Sequence, residues 1–151
     1  MRPADKLATA LAEVASHSTV LVQALAEWQA SPATTWPALE NERAQVRLVD
    51  QILFRFIKLQ DAVGERLIPA TLASLREPFE ESPMRDRLNR LEKLGFLDVD
   101  SWLFWREVRN RLAHEYPDQP ELRFAALLAA IEAAQGLVAL CQSWRNRLQT
   151  E

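Results

Sequence analysis

Apolar side chains recur at steps of three and four from the start of the chain. Leu7, Leu11, Val14, Ser18, Leu21, Leu25 and Trp28 form one stripe, which predicts a first helix over about Pro3 to Ala30. Ser18 interrupts it with a hydroxyl that can bond back to the preceding turn. His17 lies beside the stripe, where a boundary or exposed position is expected. The two prolines of "SPATTWPA" break the period and predict a loop. A second stripe, Val49, Leu53, Phe56, Gln60, Val63 and Leu67, is thickened by Ile52, Ile57 and Leu59. It predicts a long helix over about Leu39 to Leu67, which Pro69 should kink or end.

"REPFEE" reads as a connector. In "SPMRDRLNRLEKLG", Ser82 is placed as an N-cap, Pro83 at the first helical position and Gly95 just past the end. Met84, Leu88, Leu91 and Leu94 should face inward. "DVDSWLFWREVRNRLAHEY" starts a fourth helix near Asp98 or Asp100. A fifth begins after "PDQP", with Pro120 near its first turn, and runs on to the C-terminus. Its alanines allow close helix approach, while Glu132 and Gln135 interrupt a membrane-type small-residue pattern. No stretch alternates as a strand does. The expectation is one all-α domain over residues 1–151, an antiparallel up-and-down bundle of four main helices plus one shorter helix.

Composition narrows the function classes. At 151 residues and 48% hydrophobic, the chain can bury a sizeable core. No apolar run is expected to approach the roughly 20 positions of a membrane span. Asp5 makes the start a poor signal peptide, so a cytoplasmic protein with no membrane partner is expected. One cysteine, Cys141, and two histidines make a structural zinc site a poor fit, and no cofactor is expected. With a net charge of −3, nucleic acid would have to be met through a local basic patch. Five tryptophans are many; core packing accounts for most, and an oligomer face is the other place they concentrate.

The scarce polar chemistry gathers in "RNRLAHEYP", from Arg109 to Pro117, which holds the sole tyrosine and one of the two histidines. An arginine fork holds phosphate oxygens, and a histidine exchanges a proton near neutral pH. Together they suffice to cleave RNA without a metal: the imidazole takes a ribose 2′-hydroxyl proton, and the guanidinium stabilises the charge on phosphorus. The same residues also suit an ordinary helix end, where positive side chains favour the C-terminal dipole. Positions five apart point about 140° from one another on a regular helix, so Arg109 and His114 would not converge. Either the helix ends early, before Pro117, or a two-fold dimer joins two copies of the segment. Tyr116 would share the Arg109 face if the helix continued.

The segment resembles the R-x-x-x-x-H-x-Y signature of HEPN-domain toxins, helical ribonucleases paired with minimal nucleotidyltransferase antitoxins. Arg109, Asn110, His114 and Tyr116 match its positions, and "LEKLGFLDVDSWLFWREVRNRLAHEYPD" and "RFIKLQDAVGERLIP" extend the likeness. The resemblance implies a symmetric homodimer with the motif lining the cleft at its axis. It implies metal-independent cleavage of RNA, with His114 as acid/base and Arg109 on phosphate, supported by Asn110. It also implies that the cognate nucleotidyltransferase adds AMP units to Tyr116. Arg106 and Arg111 are candidates to extend the RNA-binding patch, offset by Glu107 and Glu115. Lys58, Asp61 and Glu65 read as a solvated or salt-bridged face, and Arg85, Arg87, Arg90 and Lys93 as a charged outer helix face. The competing function is a non-catalytic partner subunit that binds a nucleotide or presents a substrate to the transferase.

Overall fold

The computed structural model describes residues 1–114 and 116–150. Among these the chain is helical and contains no strand. Its elements are α1 (Pro3–Ala30), α2 (Trp36–Glu40), α3 (Arg43–Asp61), a π-helical turn (Ala62–Leu67), α4 (Ile68–Ser74), α5 (Met84–Lys93), α6 (Val99–Leu112) and α7 (Pro120–Gln149).

Contacts across helices set their directions. Gln45 donates to the Ser31 carbonyl, Arg55 meets His17, and Arg66 pairs with Glu13. One index falls as the other rises, so α1 runs antiparallel to α3 and its continuation. Arg109 pairs with Asp61 while Trp102 lies on Gly64, which sets α6 antiparallel to α3. Arg147 donates to the Leu94 carbonyl, and Trp105 abuts Gly136, so α7 returns antiparallel to α6. A Cβ at Gly136 would lie 2.7 Å from Trp105 Cζ2, so only glycine admits this close approach of α6 and α7.

The two predicted stripes face one contiguous core. Val14, Leu21, Leu25 and Trp28 of α1 and Val49, Ile52, Phe56, Leu59, Val63 and Leu67 of the second helix are buried in it. Gln60 is also fully buried, and neither amide atom finds a partner. Ser18 makes no bond to the preceding turn; it faces the α1–α7 groove beside Cys141, whose thiol burial pushes up to about 12.

Pro69 does not end its helix. The hydrogen-bond ladder has already widened upstream, where the Ile68 amide bonds back five residues to Val63 rather than four. That shift relieves the proline ring of the carbonyl it would meet in a regular helix, and the segment continues to Ser74. "SPATTWPA" is not wholly loop either. The Thr35 hydroxyl accepts from the Ala38 amide at 3.2 Å, and Pro37 sits in the first turn, which together nucleate α2. Consequently α3 begins at Arg43, later than the pattern suggests. At α5 the cap position belongs to Pro83, not Ser82, and Met84 is exposed, whereas Leu88 and Leu91 are buried. Gly95 takes the left-handed conformation (φ +86°) just past the helix end, as expected. Asp98, rather than Asp100, caps α6 by accepting from the Ser101 amide.

Helix α7 is long and apolar enough to cross a membrane, by length and composition, with a mean hydropathy of 1.9 over its best window. This corrects the expectation that no apolar run approaches that length: Glu132 and Gln135 interrupt the run without lowering the mean hydropathy enough. Its buried face, from Leu127 through Leu137 to Trp144, packs into the same core as α1, α3 and α6.

Candidate functional site

The polar segment lies where α6 runs out. The last turn tightens, with the Ala113 amide on the Asn110 carbonyl and the His114 amide on the Arg111 carbonyl. The helix ends at Leu112, so His114 and Tyr116 have left it. Tyr116 therefore does not share a helical face with Arg109. It adopts φ 45°, and Asp118 adopts φ 62°, so left-handed residues flank Pro117. The Gln119 amide closes this turn on the Tyr116 carbonyl before α7 begins. A non-glycine residue in that conformation is strained and is held by its surroundings.

His114 is exposed and Tyr116 half-buried, with ring centroids 6.0 Å apart at 56°. Both border a cleft of about 400 Å³ between α2, α3 and α7, floored by Leu39, Val49 and Leu127. Arg109 stands elsewhere. It is half-buried on the α3 side of α6, where its Nη1 donates to the Asp61 carboxylate. Among the described residues no hydrogen bond or ion pair joins Arg109 to His114 within one chain, and Arg109 does not line the cleft that His114 borders. The sequence offered two ways to reconcile their spacing. The helix does end early, but that alone does not bring the pair together.

The surrounding residues are more neutral than a basic patch. Arg111 pairs with Glu107 at 2.9 Å, and Asp61 offsets Arg109. Arg106 and Asn110 are exposed. Glu115, expected to offset Arg106 and Arg111, lies outside the described residues. Asp61 joins Arg109 from 48 positions away, a link no local pattern reveals. Its salt-bridged character agrees with the sequence reading, although its partner was not foreseen. Sequence reasoning also missed Trp36, Asp50 and Arg123 on the cleft rim.

A second polar cluster lies between α1 and α3. Arg55 Nη1 donates to His17 Nδ1 at 3.0 Å, which leaves the neutral ring's proton on Nε2, 4.0 Å from Glu13. Burial and the adjacent Arg55 charge hold the His17 pKa below its ordinary 6.5. The unfolded chain therefore takes up this proton before the folded chain does. His17 should cost stability as pH falls from above 6.5 through its lower folded-state pKa. Urea midpoints on either side of pH 6.5 should converge in His17→Gln relative to wild type. An unchanged pH dependence in that variant would mean that His17 is not the group responsible.

No protein-family model, curated protein or solved structure matches this chain.

Proposed function

We propose that the chain is a metal-independent endoribonuclease, the toxin of a type VII-like HEPN/nucleotidyltransferase pair, acting in the cytoplasm as a symmetric homodimer. The observation that carries this reading is the end of α6 at Leu112, between Arg109 and His114. It frees an exposed imidazole at the mouth of a cleft and leaves the guanidinium outside that cleft, paired with Asp61. A second copy is then needed to bring an arginine and a histidine onto one phosphate. Leu103 and Phe104, exposed on α6, offer apolar surface for such a contact.

In this mechanism His114 takes the proton from a ribose 2′-hydroxyl, and that oxygen attacks the adjacent phosphorus. The bond to the 5′-oxygen breaks, a proton returns to the leaving oxygen, and a 2′,3′-cyclic phosphate remains. Arg109 holds the phosphate as its charge grows. Asp61 engages one guanidinium nitrogen, while arginine carries five N–H donors in a planar fork, so donors remain for phosphate. The test is cleavage of RNA by the purified chain in excess chelator. Activity should persist and leave the cyclic end; loss in chelator with recovery on adding magnesium refutes the mechanism.

Regulation falls on Tyr116. AMP units placed there by the cognate nucleotidyltransferase would bring phosphate charge and bulk to the His114 edge of the cleft. Tyr116→Phe keeps the ring and removes the acceptor oxygen. With the transferase and ATP, intact-mass spectrometry should show the adduct on wild type and none on Tyr116→Phe. An equal adduct on both would place the modification elsewhere.

The Arg109–Asp61 pair favours a second reading. An arginine already neutralised within its own chain suits a non-catalytic subunit that presents a nucleotide or substrate to the transferase. That reading predicts no cleavage under any condition.

A further inference from the structure

The cleft that His114 and Tyr116 border carries a second set of features in its lining. Helix α2 places Trp36 there, half-buried, and the Arg123 guanidinium lies over its ring, 4.7 Å from carbon to centroid. Arg123 comes from the first turn of α7, so the pair ties two elements that no sequence pattern links. Asp50 and Glu40, both exposed, line the same cleft, and neither has an ion-pair or hydrogen-bond partner among the described residues. The floor is apolar, and the volume of about 400 Å³ falls within the roughly 300–1,000 Å³ of small-ligand sites.

We propose that this cleft is a subsite for a nucleotide whose base carries an exocyclic amino group. Bases stack on aromatic rings and on guanidinium planes alike, and Arg123 over Trp36 presents both kinds of surface in successive layers, so a base adds to an end of that stack. The N–H groups of Arg123 lie in its plane, so stacking leaves them able to donate to the nucleotide's phosphate. Carboxylates only accept, which matches the amino groups of adenine, cytosine or guanine, whereas uracil keeps only its N3–H as donor and presents the acceptor O4 where cytosine presents its amino group. Asp50 and Glu40 thus act as selectors, and Trp36 as the platform. The inference rests on the proposed function only for the nucleotide's source, which is either a residue of the RNA strand reaching His114 or an AMP unit carried on Tyr116.

Titration of AMP, CMP and UMP into the full chain, followed by calorimetry, tests the subsite. AMP and CMP should bind, and UMP should bind about tenfold more weakly. Trp36→Ala should weaken AMP by about tenfold or more, the scale of one stacked base. Arg123→Gln, which leaves the tryptophan in place, should also weaken it, so the test survives if Trp36→Ala misfolds. Glu40→Gln combined with Asp50→Asn should erase the difference between CMP and UMP. Equal binding of all three nucleotides, or AMP affinity unchanged in Trp36→Ala and Arg123→Gln, overturns the proposal. Two arms identify the source, and either outcome supports the subsite. A raised KM for RNA in Trp36→Ala with kcat retained assigns it to the substrate strand. Loss of free AMP binding once Tyr116 is modified assigns it to the adduct. A chain that binds AMP through Trp36 yet cuts no RNA keeps this inference and removes the ribonuclease reading; the converse result does the opposite.

Discussion

His114→Ala should reduce RNA cleavage by about 10²–10⁴-fold, the usual worth of a positioned acid/base group. Cell growth on induction should recover accordingly. The ring is exposed at the end of α6 and makes no side-chain hydrogen bond or ion pair among the described residues, so its loss should leave the fold intact. An unchanged circular dichroism spectrum and melting temperature would separate lost chemistry from lost structure. Arg109 behaves differently. Its fork is shared with Asp61, and Arg109→Lys would keep the charge while losing the planar geometry. Both variants should be inactive for distinct reasons. Full cleavage by His114→Ala would remove the segment from the active site and favour the non-catalytic reading.

Trp144→Ala should destabilise the chain by about 3–5 kcal/mol, among the largest effects of any single change outside the site. Trp144 is fully buried, packs 5.2 Å from the Phe96 ring, and donates from Nε1 to the Thr71 hydroxyl at 3.0 Å. Removing it opens a cavity where α7, α4 and the α5–α6 connection meet, and deprives a buried hydroxyl of its donor. Trp144→Phe retains most of the packing and loses the hydrogen bond, for a smaller cost of about 1–2 kcal/mol. Urea unfolding of the two variants should show that order. Equal small losses would mean that the surroundings collapse to fill the space.

Much of the helical architecture was legible because it rests on local signals. The three-and-four spacing from Leu7 to Trp28 predicts α1 to both its ends. Gly95 and Asp98 mark a stop and a start through backbone conformation and capping, which depend on near neighbours alone. Pro69 misled because its effect depends on the preceding turn. A wider turn upstream removes the clash that normally ends a helix, and the sequence carries no plain sign of it. The short α2 was hidden by two prolines that usually signal a loop. One of them occupies the first turn, where its missing amide costs nothing.

The candidate site divides along the same line. By itself, the sequence determined that arginine, histidine and tyrosine gather within eight positions before a proline, and that a regular helix could not aim the first two at one point. Those are consequences of spacing and of proline's effect on its neighbour. Only the tertiary structure decided where the helix stops, which carboxylate holds Arg109, and which residues surround His114. Asp61, Trp36 and Arg123 reach the motif from other helices, 48, 78 and 9 positions from Arg109, His114 and His114 in turn. Even the nearest of them arrives only because the turn after Tyr116 reverses the chain into α7. Such neighbours are set by how apolar stripes pack against one another, and packing is a property of the whole core rather than of any segment.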